Sequence, residues 1–317
     1  MTDGMPPVLI AAFYRFAPLG TGRRAWKQEL EELGRRQGLK GTLLLAAEGI
    51  NGTVAGPESG VGELLKTLQA RPGFADLPVR FSRADTAPFH RFKVRLKREI
   101  VSMGAPALDP RIRVGHYVSP HDWDALIADP GTLVIDTRNA YEVAVGSFEG
   151  AVDPHTASFH DFPSWVEREL RPLVARQRPQ RLALFCTGGI RCEKATSHLV
   201  EQGFSEVHHL QGGILRYLEE RPEQGSRWRG ECFVFDQRVA LNHQLEPGEH
   251  SLCHACRMPL SPADRQLQSY VEGLSCRHCI DQRSAADRRR FGERQQQMVL
   301  AAARGEPHIG RVFPQEG

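Results

Sequence analysis

The sequence contains no apolar run that approaches the roughly 18 residues needed for a membrane-spanning helix. Its first residues, MTDGMPPVLIAAF, lack the positive charges of a secretory signal peptide and hold only a short apolar stretch. A strong excess of charge is also missing, because 41 basic and 38 acidic residues leave a formal net charge of +3. These absences predict a cytoplasmic protein without a membrane partner, and they permit an anionic partner without requiring one.

Disulfide bonds are not expected either, because thiols stay reduced in the cytosol. The seven cysteines therefore need another chemical explanation. The 317 residues are enough for two or three domains, and shifts in pattern divide the chain at about 1–105, 113–223 and 224–317. The last twelve residues, 306–317, form a polar tail that we expect to be loosely held.

The first region predicts a ferredoxin-like (acylphosphatase-like) α+β domain, because strand and helix patterns follow in the order β-α-β-β-α-β. In the first helix, Trp26, Leu30 and Leu33 recur at the spacing of one buried face. Asn51-Gly52 lies between two strand-like stretches and predicts a hairpin turn.

Strands alternate with helices in the second region, which predicts an α/β domain with a parallel sheet. Ser119 and Pro120 have the residue types of a helix N-cap and first turn. The apolar stretch RLALFC predicts a buried strand that ends at Cys186. Because ligands of parallel sheets bind at the carboxyl ends of strands, Cys186 is placed where chemistry is expected.

The stretch LALFCTGGIRCEK predicts a reactive cysteine in an anion-binding loop. Free amides of Thr187, Gly188, Gly189 and Ile190 precede a helix, and Arg191 adds a cation. These groups favour an ionised, accessible Cys186 that acts as a nucleophile or carries a persulfide. Cysteine phosphatases have five residues between Cys and Arg, whereas this loop has four and suits a single sulfur atom.

Two features of this loop leave alternatives open. Cys186 could be a buried thiol before an ordinary glycine-rich turn, although the glycines and Arg191 together disfavour that interpretation. Cys192 could be a resolving thiol, but a small packing residue in the first turn of the helix is the favoured interpretation.

Four further cysteines form the pattern C-x2-C-x19-C-x2-C, at Cys253, Cys256, Cys276 and Cys279. Each C-x-x-C pair supplies two thiolates, and the spacer allows both pairs to close one tetrahedron. The pattern predicts a structural Zn²⁺ site, with iron–sulfur, redox-active or free thiols as alternatives. His254 and His278 lie inside the pairs and are predicted to be bystanders, and Cys232 is predicted to lie in the core.

Basic residues concentrate between positions 80 and 100, a stretch that contains seven Lys or Arg residues and two acidic residues. In FKVRLK, the side chains of Lys93, Arg95 and Lys97 alternate with apolar ones and share one strand face. This face is a candidate RNA-phosphate surface, although composition alone slightly favours a solvated sheet face. Arginines 283 and 288–290 form a second basic group.

Two of these stretches carry a family resemblance. DTRNAYEVAVGSFEGAV and FCTGGIRCEKATSHLVEQGFSEVHHLQGGILRYLEE resemble a rhodanese domain. Together with GLKGTLLLAAEGINGTVAG they are more similar to the bacterial oxygen-dependent tRNA uridine-34 hydroxylases, and the resemblance covers about residues 8–285.

That resemblance implies that Cys186 is the active cysteine, of the persulfide type, and that Arg191 and the amides of residues 187–190 hold its anion. It also implies tRNA as partner, molecular oxygen as co-substrate and 5-hydroxyuridine as product. The sequence shows no flavin fingerprint and no obvious two-His-one-carboxylate motif, so the electron donor is not identified.

Two other functions stay open at this point. A sulfurtransferase would pass persulfide sulfur from Cys186 to a thiol or tRNA acceptor. An RNA-binding scaffold with an idle rhodanese fold is disfavoured, because an idle domain does not need the cysteine, glycines and arginine of the loop.

Overall fold

The computed structural model describes residues 7–305 of the chain. A five-stranded sheet with two helices forms the first part, in the strand order β4-β1-β3-β2-β5. Only β5 runs parallel to its neighbour, β2; the other pairs are antiparallel. The elements are β1 (Val8–Phe16), α1 (Arg23–Arg36), β2 (Lys40–Ala46), β3 (Gly49–Gly56), α2 (Glu58–Gln69), β4 (Val79–Ala84) and β5 (Phe92–Leu96).

This arrangement confirms the predicted ferredoxin-like order and adds β5 at the edge. Trp26, Leu30 and Leu33 are buried on one face of α1, as their spacing predicts. They pack into one core with apolar residues of the sheet and of α2. The sequence identified this core because amphipathic periodicity is a local property.

The hairpin turn predicted at Asn51-Gly52 is wrong. The turn lies four residues earlier, at Ala47-Glu48, and Asn51 and Gly52 belong to β3. β1 pairs with the full length of β3, so tertiary pairing overrides the local turn preference. A side chain at Gly52 would lie 2.9 Å from Leu43, which explains the glycine by close packing.

A four-stranded parallel sheet forms the second part, in the order β6-β10-β9-β7, with helices on both faces. This confirms the predicted α/β domain. Its elements are β6 (His116–Val118), α3 (Pro120–Ala128), β7 (Thr132–Asp136), α4 (Ala140–Val143), β8 (Gly146–Phe148), α5 (Phe162–Trp165), α6 (Arg171–Gln177), β9 (Arg181–Phe185), α7 (Ile190–Glu201), β10 (Val207–Leu210) and α8 (Gly213–Glu220).

The helical segment over residues 158–174 is interrupted. A 3₁₀ turn at Phe159–Asp161 precedes α5, and a π-helical turn at Val166–Leu170 joins α5 to α6. Pro172 stands at the start of α6 and cannot donate to the carbonyl four residues before it. The wider turn accommodates that missing hydrogen bond. By contrast, the predicted cap of α3 is present, since the Ser119 side chain accepts from the Asp122 amide.

Short strands and one long helix follow. β11 (Trp228–Gly230) pairs with β8 in a separate two-stranded sheet, so this segment is joined to the second domain. The remaining elements are β12 (Cys232–Phe233), β13 (Ala240–Leu241), β14 (Ser251–Leu252), β15 (Pro259–Leu260) and α9 (Ala285–Ala303). Cys232 is buried in the core, as predicted. The tail at 306–317 lies outside the described residues, and the domain boundaries inferred from sequence stay predictions.

A buried ion cluster joins the first two sheets. Lys194 of α7 is fully buried, and its Nζ lies 2.8 Å from Glu48 Oε2 and 2.6 Å from Glu99 Oε1. Glu48 sits in the β2–β3 turn, and Glu99 follows β5. The helix after Cys186 is therefore held directly by the first domain. Within residues 7–305, no helix combines the length and apolar character needed to cross a bilayer.

Candidate active site

Cys186 lies directly after β9, and the loop 187–189 leads into α7. The loop is tied to the start of α8, where the Ile214 amide donates to the Cys186 carbonyl at 2.9 Å and the Leu215 amide to the Thr187 carbonyl at 3.1 Å. Gly213 has a φ of +67°, and an added side chain would lie 2.5 Å from the Cys186 carbonyl oxygen. Only glycine permits this close approach.

The Cys186 sulfur is surrounded by donors. The Gly189 amide donates to Sγ at 3.1 Å. Burial alone would raise the pKa of Cys186, but hydrogen bonding with Cys192, the positive charge of Arg191 and the amides of Cys192 and Gly189 outweigh it and lower the pKa to about 6. The site therefore favours a thiolate near neutral pH.

The sulfur is less accessible than the sequence suggested, because Cys186 is only 1% exposed. The loop itself has one open side: a side chain added at Gly188 would meet no atom within 4 Å. Gly189 is closed, since an added side chain would lie 2.8 Å from the Tyr14 hydroxyl. The loop therefore has open space beside Gly188, whereas Tyr14 occupies the space beside Gly189.

Arg191 is not the free cation that the sequence suggested. Its guanidinium forms two 2.7 Å hydrogen bonds with the carboxylate of Glu142, and both side chains are buried. Burial alone would raise the pKa of Glu142, but Arg191 lowers it below its usual range. Arg191 also donates to the Thr187 hydroxyl at 3.2 Å, so the ion pair fixes the shape of the loop.

Sequence reasoning missed Glu142 because it lies 49 residues from Arg191. A signal was present: Asn139 and Glu142 form a capping box at the start of α4, with the residue spacing of that motif. The spacing, however, does not reveal that the same carboxylate reaches Arg191. Glu142 joins two loops that each follow a parallel strand.

Cys192 is fully buried in the first turn of α7. Its sulfur lies 3.6 Å from the Thr137 hydroxyl, which also donates to the Phe185 carbonyl. Burial, together with the neighbouring Cys186, raises the pKa of Cys192 well above its usual value. Cys192 is therefore the protonated partner of the pair and packs against the sulfur of Cys186.

The first domain contributes a tyrosine to this site. Tyr14 of β1 donates a 2.8 Å hydrogen bond to Glu193, the second residue after Arg191. Burial raises the pKa of Glu193, and hydrogen bonds from Tyr14 and Tyr117 partly oppose that rise. Neither tyrosine was predicted from the sequence, because nothing in the strand patterns indicates a contact with Glu193, which lies 179 positions after Tyr14.

The four predicted metal ligands come together. The sulfur atoms of Cys253, Cys256, Cys276 and Cys279 all lie within 4.8 Å of one another. Three pairs are separated by 3.6, 3.8 and 4.0 Å. Four sulfurs around a tetrahedral zinc ion at about 2.3 Å would be separated by about 3.8 Å, so the cluster fits a closed tetrahedral site.

Lys93, Arg95 and Lys97 are exposed along one side of β5 and its end. Within the described part of the chain, none of the three has a carboxylate within salt-bridge distance. The C-terminal arginines are engaged differently: Arg290 pairs with Asp287, and Arg283 lies over the Phe291 ring. The strand thus offers more free positive charge than the last helix.

Comparison with known families matches two regions. Residues 8–100 match the UPF0176 acylphosphatase-like domain. Residues 119–220 match the rhodanese-like domain, which contains the Cys186 loop.

Whole-chain relatives share more than half of their residues with this chain. A tRNA uridine(34) hydroxylase of Parasynechococcus marenigrum (strain WH8102) is 58% identical over 301 residues, covering 93% of this chain and 94% of the relative. One from Synechococcus sp. (strain CC9902) is 58% identical over 92% of this chain and 98% of the relative. One from Agrobacterium fabrum is 55% identical over 96% and 95%, respectively.

Proposed function

The chain belongs to the tRNA uridine(34) hydroxylase family and is an enzyme that hydroxylates uridine 34 of tRNA, and we propose that Cys186 performs this reaction with molecular oxygen, giving 5-hydroxyuridine. The observation that carries the role of Cys186 is its environment. The Gly189 amide contacts the sulfur at 3.1 Å, and the loop around it is held by the Arg191–Glu142 pair.

The thiolate of Cys186 adds to C6 of uracil. A carbon–sulfur bond forms, the C5=C6 π bond breaks, and its electron pair moves to C5 and the O4 carbonyl. C5 is then electron-rich and forms a bond with one oxygen atom. Loss of the C5 proton and release of the sulfur from C6 restore the double bond and the Cys186 thiolate.

The oxygen balance requires a reductant. One atom of O₂ becomes the C5 hydroxyl, and the other leaves as water after taking up two electrons and two protons. We assign these to a thiol reductant, which is oxidised to a disulfide. In a rival version, a persulfide on Cys186 supplies the electrons and the sulfur does not add to C6.

Nucleoside mass spectrometry of tRNA from a deletion strain tests the role of Cys186. Complementation with the wild-type gene should restore 5-hydroxyuridine, and Cys186→Ser should not. Cys232→Ser, a variant of a buried cysteine outside the loop, serves as the matched control. Growth under ¹⁸O₂ should add two mass units to the nucleoside; an unlabelled product would exclude molecular oxygen as the source.

Only the first version of the chemistry forms a covalent bond between the Cys186 sulfur and C6 of uracil. Mass spectrometry of the protein trapped with 5-fluorouridine RNA should show an adduct at Cys186 if its sulfur adds to C6. Absence of the adduct, together with a mass gain of one sulfur atom on Cys186, would favour the persulfide version. A thiosulfate:cyanide assay measures the sulfurtransferase activity that the relatives' name disfavours.

We also propose that the four-cysteine cluster binds a structural Zn²⁺ ion. The distances among the sulfurs suit a tetrahedral site whose four positions are all taken by protein, which leaves none for a substrate. Thiolates prefer zinc or iron–sulfur clusters, and zinc suits this closed arrangement. Such an ion would stabilise a segment in which the described strands are only two residues long.

The β5 residues Lys93, Arg95 and Lys97 are proposed to contact tRNA phosphates. Lys97 follows β5, and Glu99, two residues later, binds Lys194 beside the active loop. The end of β5 therefore adjoins the domain that carries Cys186. A tRNA substrate also favours the cytoplasmic location inferred from the sequence. A donor protein for electrons or sulfur is not identified.

A further inference from the structure

An exposed aromatic ring lies beside the active loop. The Phe235 side chain is 65% exposed, more than Phe81 at 51% and Tyr117 at 50%. The Arg191 Cζ atom lies 5.9 Å from the centre of this ring. Because Arg191 also holds the Thr187 hydroxyl and Glu142, the ring stands next to the loop that contains Cys186.

Phe235 lies in an ordered turn rather than in a loose loop. The residues on either side, Val234 and Asp236, are 5% and 7% exposed. The Val234 amide donates to the Val239 carbonyl at 2.8 Å, and Asp236 accepts from the Arg238 guanidinium. A backbone hydrogen bond thus joins the two ends of the turn between β12 and β13, and an Arg238–Asp236 ion pair stabilises it from within.

The turn is also anchored to the first domain and strained. The Gln237 amide donates to the Pro88 carbonyl at 3.0 Å. Val239 has a φ of +65°, which is a rare conformation for a β-branched residue. Strain of this kind persists where the surroundings enforce it and is concentrated at functional sites.

The Phe235 ring packs against a second aromatic residue. Phe233 is buried, and its ring meets that of Phe235 edge to face at 5.2 Å. Tyr141, from the segment that also carries Glu142, packs against Phe233 at 5.4 Å. One edge of Phe235 is therefore fixed by protein, while much of its surface faces solvent beside the active loop.

We propose that Phe235 is a stacking platform for the nucleobase that flanks the target uridine in the tRNA anticodon. This inference rests on the proposed function for its substrate. Bases stack on exposed aromatic rings in single-stranded RNA, and loop bases are splayed out when proteins bind them. Stacking of the neighbouring base would hold uridine 34 over the open side of the loop at Gly188.

Binding measurements with catalytically inert protein test this without chemistry. In a Cys186→Ser background, Phe235→Ala should weaken binding of an anticodon stem-loop RNA by about 5- to 150-fold, the range for one stacked base. Phe235→Trp should bind at least as well as the parent, and Phe235→Leu should resemble Phe235→Ala. Phe81→Ala removes an exposed ring from the edge strand β4, on the face opposite the Ser82 side chain that contacts Arg238 of this turn, and should leave binding unchanged.

RNA with an abasic nucleotide at position 33 or 35 identifies the base. At one of these positions the abasic RNA should bind the parent protein as weakly as Phe235→Ala binds intact RNA, and the two changes together should add nothing. Equal binding by Phe235→Ala and the parent, full binding by Phe235→Leu, or additive losses at both positions would each overturn the proposal.

Activity assays separate this proposal from the proposed function. In the enzyme with Cys186 intact, Phe235→Ala should raise KM for tRNA by a similar factor while kcat at saturation is largely kept. If the wild-type protein binds RNA in the manner above but makes no 5-hydroxyuridine, the proposed function fails and the stacking role stands. If hydroxylation occurs and Phe235→Ala leaves KM unchanged, the stacking role fails alone.

Discussion

The hydroxyl of Tyr14 donates a 2.8 Å hydrogen bond to the Glu193 carboxyl group, so the first strand of the chain contacts the helix that follows the active cysteine. The same hydroxyl closes the loop over Gly189. Lys194, the next residue in that helix, is bound by Glu48 and Glu99 of the first domain. The candidate active site therefore contains residues of two domains.

Tyr14→Phe tests this contact through its pH dependence. Tyr14 favours the ionised form of Glu193, and burial raises the pKa of Glu193, so protonation begins at higher pH than for an exposed glutamate. The variant should lose about 1.5–3 kcal/mol of unfolding free energy at pH 8 and less at pH 5, because protonation of Glu193 as the pH falls weakens the hydrogen bond. Urea unfolding at both pH values measures the difference. Tyr141→Phe is the control. The Tyr141 hydroxyl accepts a hydrogen bond from the neutral Asn139 side-chain amide, so this variant should lose the same unfolding free energy at pH 5 as at pH 8.

Ionisation of Cys186 gives a second prediction. Its pKa is lowered to about 6, so the thiolate should be present above that pH and disappear as the pH falls through it. The 240 nm absorbance of wild-type protein minus that of Cys186→Ser reports this titration, and the hydroxylation rate should fall over the same range. Arg191→Gln should raise the midpoint because it removes a cation, while Arg171→Gln on the surface should not. A midpoint near that of ordinary cysteine in the wild type would remove the basis for the thiolate chemistry.

The Arg191–Glu142 pair gives a third prediction. Glu142→Gln leaves a buried guanidinium without its carboxylate, which costs about 3–5 kcal/mol of unfolding free energy. Glu167→Gln is the matched control: it breaks a solvent-exposed pair with Arg171 four residues away, which should change the unfolding free energy little. Urea unfolding measures both losses. Similar small losses in the two variants would show that the buried pair does not fix the loop.

The four-cysteine cluster gives a fourth prediction. Elemental analysis should find about one zinc ion per chain. Cys253→Ser should lose the metal and lower the melting temperature, because metal binding contributes folding energy. His254→Asn and His278→Asn should keep the metal, since all four ligands are sulfurs. Iron in place of zinc, or retention of metal by Cys253→Ser, would contradict the assignment.

The basic face of β5 gives a fifth prediction. Charge reversal of Lys93, Arg95 and Lys97 should weaken tRNA binding and reduce the slope of log K against log salt by about 2–3, one phosphate contact for each residue. Arg24→Glu with Lys66→Glu, at exposed positions on the helices of the same domain, is the control and should leave the slope near that of the wild type. An unchanged slope in the β5 variant would exclude this strand from the interface.

Several features were predictable because the interactions that determine them are close in sequence. The buried face of α1 follows from a 3.6-residue period, and the capped start of α3 from Ser119 and Pro120. The metal cluster follows from two C-x-x-C pairs with a suitable spacer. The prediction of a turn at Asn51-Gly52 was wrong for the converse reason: pairing between β1 and β3 outweighed the local turn preference of these two residues.

By itself the sequence determined that a cysteine, glycines and an arginine share one loop after a buried strand, and that four more cysteines can meet around a metal. Only the tertiary structure decided what surrounds them: Glu142 on Arg191, Tyr14 on Glu193, and the ring of Phe235 beside the loop. The physical reason is distance along the chain. A loop's own spacing fixes its geometry, whereas partners dozens of residues away meet it only when sheets and helices have packed.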